Sequence, residues 1–137
     1  MRGAMALAVR LYRWSGGRVG GTAKGGTPVL LLTVAGRSTG VPRTTPVSWF
    51  EHEGGYLVVG SGGGSADEPQ WFRNLRAAPR AHVEVRSEHQ DVTVRVLPPD
   101  ERDRAWSQVV VARSPGFGDY AAKAGRPIPL AHLVPVT

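Results

Sequence analysis

Apolar positions in this chain recur mostly every second residue, in short runs punctuated by glycine and proline. Residues 28–35 (PVLLLTVA) form a continuous apolar run rich in β-formers. A run of that length and composition predicts a buried strand. Residues 36–43 (GRSTGVPR) have turn chemistry, and residues 44–50 (TTPVSWF) resume as a strand. Pro46 has no N–H to donate, so it predicts an edge or a bulge there. A turn at 51–55 precedes a third strand at 56–60 (YLVVG). Residues 80–86 alternate strictly, Ala81, Val83 and Val85 against His82, Glu84 and Arg86, and Val92, Val94 and Val96 repeat the alternation. These two runs predict a hairpin turning at 87–90. Residues 128–136 contain two prolines but suit a closing strand.

Helical spacing occurs in fewer places. Residues 69–76 (PQWFRNLR) read as a short helix with Pro69 in its first turn and Trp71, Phe72 and Leu75 facing inward. Residues 98–113 begin with prolines and acids and continue as a helix, and 114–125 is a loop with a short helix. At the amino end Met5, Val9 and Tyr12 share one helical face, and residues 18–27 (RVGGTAKGGT) read as a linker. The expected organisation is a helix and linker over 1–27 and a β-rich domain over 28–137. About six short strands with flanking short helices give a mainly β (α+β) fold. A small barrel is expected because closure removes exposed strand edges.

Composition sharpens the partner class. The 137 residues fit one domain, and there is no cysteine, which excludes disulfides, thiolate chemistry and cysteine-bound zinc. A cytoplasmic location is expected. Lys plus Arg is 17 against 11 acids, a formal charge of +6, which favours an anionic partner. Nucleic acid is not expected, because aromatics do not interleave with the basic residues as a stacking platform requires. Residues 1–14 hold Arg2, Arg10, Arg13 and Trp14 but are too short to span a bilayer. They predict a helix packed on the domain, with peripheral membrane contact as the alternative.

Two loops carry candidate chemistry. In 36–43, Arg37 and Arg43 bracket Ser38, Thr39 and Gly40. Arginine forks match phosphate, and small residues let backbone amides approach the same anion. A plain hairpin turn with solvated arginines is the competing explanation. The second loop, residues 60–69 (GSGGGSADEP), puts Ser61, Gly62, Gly63 and Gly64 just before a helix. It matches neither the Rossmann nor the Walker A pattern, and a flexible surface loop would explain it equally. Ser61 lacks the setting of a nucleophile elbow. His52, His82, His89 and His132 have no metal-ligand spacing. Trp49, Trp71, Phe72 and Trp106 read as core, although Trp71 beside the glycine loop suits both core and site.

The order LLLTVAGRSTGVPRTTPVSWF, then YLVVGSGGGSADEPQWFRNLRAAPRAHVEV, with late D-Y and R-x-I-P segments, resembles the deazaflavin (F420)-dependent nitroreductase and quinone reductase family. The resemblance implies a split β-barrel and an F420H2-dependent reductase. Such an enzyme passes hydride from the deazaflavin to an electron-poor acceptor: a quinone, an activated alkene or a nitro compound. It implies that Arg37, Ser38, Thr39 and Arg43 hold the cofactor phosphate and that Pro46 and Val47 lie beside the deazaflavin ring. It further implies that Ser61, Gly62, Gly63, Gly64 and Trp71 contact the cofactor, and that Tyr120 and Ser48 act on the acceptor. Arg18 and Lys24 are expected near the anionic tail by their charge. The chain departs from the family where Gly62 and Ser38 replace basic residues and where Ser48, Ser114 and Phe117 replace tyrosines. The alternatives are an FMN-binding split-barrel oxidoreductase and a non-catalytic F420-sequestering protein. A small-molecule acceptor is the expected partner, and a monomer is expected over a homodimer.

Overall fold

The computed structural model describes residues 2–18, 20–21 and 27–136. Six antiparallel strands close into a barrel in the order β1-β2-β3-β6-β5-β4. They are β1 (Val29–Ala35), β2 (Pro42–His52), β3 (Gly55–Val59), β4 (Arg80–Val85), β5 (Glu88–Val96) and β6 (Leu130–Pro135). The helices are α1 (Arg2–Ser15), α2 (Gln70–Ala77), α3 (Pro99–Ala105), α4 (Val111–Arg113) and α5 (Gly116–Ala124). This is the small barrel expected from the strand pattern, and it agrees with the split barrel that the resemblance implies.

Alternation explains the core. Leu30, Leu32 and Val34 of β1 point into the barrel, where they meet Val47, Val58, Val83, Val92 and Leu133. Phe72 and Leu75 of α2 join the same cluster, so α2 plugs one end of the barrel. A second cluster lies outside β2, β3 and β6, where Phe50, Leu57, Val59 and Leu130 are covered by Val110 and Phe117. The outward residues of β1, Val29 and Leu31, are covered by Val9 and Tyr12 of α1. The continuous apolar run of β1 thus has a partner on each face.

Two expectations need correction, and a third is resolved. The turn placed at 87–90 is only Arg86–Ser87, both at positive φ (47° and 74°), and Glu88 to Gln90 already pair with β4. Two successive positive-φ residues make the tight hairpin whose twist matches the strands. The helix expected over 98–113 runs over 99–113, and one π-helical turn, Trp106–Val110, interrupts its α-helical course. Pro46 produces no bulge: β1 and β2 stay in register from Val29↔Ser48 to Ala35↔Pro42. It satisfies the edge expectation instead. β3 pairs with β2 only from Trp49 to His52, so among the described residues 42–48 have a strand neighbour on one side alone.

Tyr12 fixes α1 to the barrel. Its hydroxyl accepts the Arg86 backbone N–H at 2.9 Å and donates to the Val29 carbonyl at 3.1 Å. Arg13 adds an ion pair to the buried Glu84 carboxylate at 3.1 Å. The opposite face of α1 exposes Leu7, Arg10, Leu11 and Trp14. Among the described residues no helix is long and apolar enough to cross a membrane. The Tyr12→Phe variant leaves the Arg86 N–H without its acceptor, and its expected stability loss is about 1–3 kcal/mol. Urea unfolding checks this, and an unchanged midpoint contradicts the anchoring role.

Candidate functional site

The β1–β2 hairpin loop is ordered by its own backbone. Gly36 N–H donates to the Val41 carbonyl at 2.9 Å and Gly40 N–H to the Gly36 carbonyl at 2.7 Å. Gly40 takes φ +74°, the left-handed region that glycine occupies at least cost. Thr39 Oγ1 accepts the Val41 N–H at 3.2 Å.

Helix α2 then holds this loop in place. Gln70 and Asn74 are one helical turn apart and share a face. Asn74 is buried, and its Oδ1 accepts both the Arg37 backbone N–H at 3.1 Å and the Arg37 guanidinium at 2.8 Å. Gln70 Oε1 accepts the other arm of that guanidinium at 2.7 Å. Arg37 is therefore positioned by neutral oxygens that leave its charge uncancelled.

Arg37, Ser38, Thr39 and Arg43 line one cavity of about 300 Å³ with Gly36, Gln70 and Asn74. Arg43, Gln70 and Asn74 are shared with an adjoining cavity of about 540 Å³. Its other walls are Val34, Thr44 and Thr45 of the hairpin, Pro69 and Trp71 beside α2, and Ala6 of α1. No carboxylate lines either cavity. Arg43 has no hydrogen-bond or ion-pair partner among the described residues. Two guanidinium groups in an acid-free concavity, with hydroxyls beside them, form a donor set suited to a phosphate. The larger cavity offers an apolar wall at Trp71, which packs edge-on against Phe72 at 5.4 Å.

The remaining expected residues sit elsewhere. Val47 is buried in the barrel interior, while Pro46 and Ser48 lie on the outward side of β2. Ser48 shares that side with Phe50, which stacks on Phe117 at 6.0 Å; Phe117 in turn stacks on Tyr120 at 5.5 Å. Ser48 and Tyr120 thus flank one aromatic row, away from the arginine cavities. Ser114 is buried and bonded to Thr27 Oγ1 at 3.0 Å, so it is a structural contact. Ser61 precedes a 3-10 turn, Gly62–Gly64, which lies against α5 through Gly64 and Lys123. Ser61, Gly62, Gly63 and Gly64 do not line the arginine cavities, but Gly62 adjoins Pro69, which does. Gly62 has φ +56°, and a Cβ there would meet Ser65 Oγ at 2.6 Å, which fits glycine in place of a side chain. Arg18 is exposed, and Lys24 lies outside the described residues.

Asn74 and Gln70 were not singled out by pattern reading. The available signal was their spacing of four on a helix whose other face is apolar, which aims two amides at whatever lies beside it.

Both the sequence and the fold are similar to known proteins. A family model described as F420H(2)-dependent quinone reductase matches residues 4–135. An F420H(2)-dependent quinone reductase of Mycobacterium tuberculosis is 34% identical over 125 residues, covering 90% of this chain and 84% of that protein. The solved structure of an F420-H2 dependent reductase (FDR-A) superposes with a TM-score of 0.68 at 32% identity, covering 77% of this chain and 93% of the other. A structure described as a domain-swapped dimer has the same TM-score and identity, covering 77% and 79%. The expectation of a monomer finds no support in that relative. On sequence and fold together, the chain belongs to the F420H(2)-dependent quinone reductase family, whose members are oxidoreductases that use coenzyme F420.

Proposed function

We propose that the paired arginine cavities receive the phosphate-bearing side chain of F420H2 and that the chain reduces an electron-poor acceptor such as a quinone. The observation that carries this reading is the unpaired Arg43 in a cavity free of carboxylates. A guanidinium kept from every acid retains its full attraction for an incoming anion. Arg37, already held by Asn74 and Gln70, meets that anion with little ordering cost.

When bound, the deazaflavin supplies the hydride. The protein binds the cofactor, orients it and excludes water. Arg37, Ser38, Thr39 and Arg43 hold the phosphate; Trp71 and Pro46 border the path toward the ring, with Val47 backing β2 from the barrel interior; and Ser61 to Gly64 contact the cofactor from the second loop. Ser48 and Tyr120 hydrogen-bond the acceptor and guide a proton to its oxygen. Their placement along the Phe50–Phe117 row, on the outward side of β2, supports a role apart from the phosphate. The FMN-binding alternative draws no support from relatives at 32–34% identity named for F420.

We also place the protein in the cytoplasm against the membrane surface. Leu7, Leu11 and Trp14 form an exposed apolar stripe on α1 with Arg10 among them. Cosedimentation with anionic vesicles is expected for the wild type and lost in Leu11→Glu; equal sedimentation of the two contradicts the placement. For the cofactor site, Arg43→Ala removes a charge-assisted contact of about 2–3 kcal/mol, which raises the F420 Kd about 30- to 150-fold. Titration followed by F420 fluorescence measures it, and an unchanged Kd refutes the site.

A further inference from the structure

The glycine-rich loop contains one arrangement that its sequence does not suggest. Arg126, on the segment leading into β6, makes no ion pair with a carboxylate among the described residues. Its guanidinium points instead at the loop backbone. Nε donates to the Ser65 carbonyl at 3.1 Å, and Nη2 lies 3.3 Å from the Gly60 carbonyl, 3.4 Å from Ser61 and 3.1 Å from Asp67. Nη2 gathers three of these carbonyls while Nε holds the fourth, a two-armed grip that a single ammonium lacks.

Peptide planarity turns this clamp into a second consequence. In a trans peptide the carbonyl of one residue and the N–H of the next point in opposite directions. Carbonyls gathered toward Arg126 therefore turn the N–H groups of Ser61, Gly62, Ala66 and Glu68 away from it. None of these N–H groups has a hydrogen-bond partner among the described residues, whereas those of Gly60, Gly64 and Ser65 are all used. The loop thus has its negative peptide ends on Arg126 and its free positive ends on the far side. The loop adjoins the larger cavity: a Cβ on Gly62 would lie 3.7 Å from Pro69, which lines that cavity with Trp71. Glu68 is withdrawn from competition by a paired contact with Arg76 at 2.6 and 3.1 Å.

We propose that Arg126 is a positioning residue that shapes the 60–68 loop into an amide cradle for a hydrogen-bond-accepting group of the cofactor. This deepens the F420 reading above and rests on it. Arg126 itself touches only protein. Its charge acts through the peptide dipoles it orients, so a cation that is satisfied by carbonyls prepares a site for an acceptor on the other side of the same peptides.

The test combines fluorescence titration with F420 and residue-resolved amide exchange, on the wild type, Arg126→Met and Arg126→Lys. In the wild type, saturating F420 is expected to slow exchange of the Ser61, Gly62, Ala66 and Glu68 amides at least about tenfold. Arg126→Met is expected to raise the F420 Kd at least about tenfold and to lose that selective protection. Arg126→Lys keeps the charge but not the fork, and is expected to resemble Arg126→Met. A wild type that binds F420 with these amides exchanging as fast as in the free protein overturns the inference, even where Arg126→Met fails to fold. So does an Arg126→Met protein that binds F420 as tightly as the wild type. A wild type that binds no F420 at all overturns the cofactor reading first, and this inference with it.

Discussion

The site depends on unequal strand lengths in a closed sheet. β2 runs from Pro42 to His52, but β3 covers only its last residues, so the first half of β2 ends in a free edge. An open edge inside a barrel has to be covered or used. Here α2 stands opposite it, held by Phe72 and Leu75 in the barrel interior. The gap left between the β2 edge and α2 is the larger cavity, and the β1–β2 loop at its rim supplies the arginines. Pro46 belongs in this frame: it occupies the one stretch of β2 where a missing N–H costs no ladder hydrogen bond.

Charge placement sets that gap apart from the rest of the surface. The chain has a surplus of cations, but most surface arginines near acids are paired, such as Arg76 with Glu68 and Arg13 with Glu84. Arg37, Arg43 and Arg126 differ in facing amides, open cavity or backbone carbonyls. Two of them face a cavity without a carboxylate, and the third faces the carbonyls of the second loop. The proposed site is thereby divided between fixed charge at the first loop and backbone dipoles at the second.

Much of this was legible from residue patterns. Two of the six strands follow from period-two alternation, and β1 was recognisable as a buried strand because its apolar run has no polar positions before Thr33. Arg37 and Arg43 were visible as a pair because a short turn brackets them. Other features depend on partners distant in sequence. Asn74 binds Arg37 across 37 positions, and Arg126 reaches Ser65 across 61. No local periodicity encodes such contacts. The two-residue turn at Arg86–Ser87 was hidden for a different reason: neither residue is the glycine or asparagine that usually announces positive φ.

The central claim is that the arginine cavities bind the phosphate-bearing arm of the cofactor. The most direct measurement compares the Kd of intact F420 with that of the same deazaflavin bearing only its ribityl chain, without phosphate or glutamates. Neutralisation of the phosphate by Arg37 and Arg43 predicts at least about thirtyfold weaker binding of the truncated compound at moderate salt. Equal affinity for the two compounds would contradict the account.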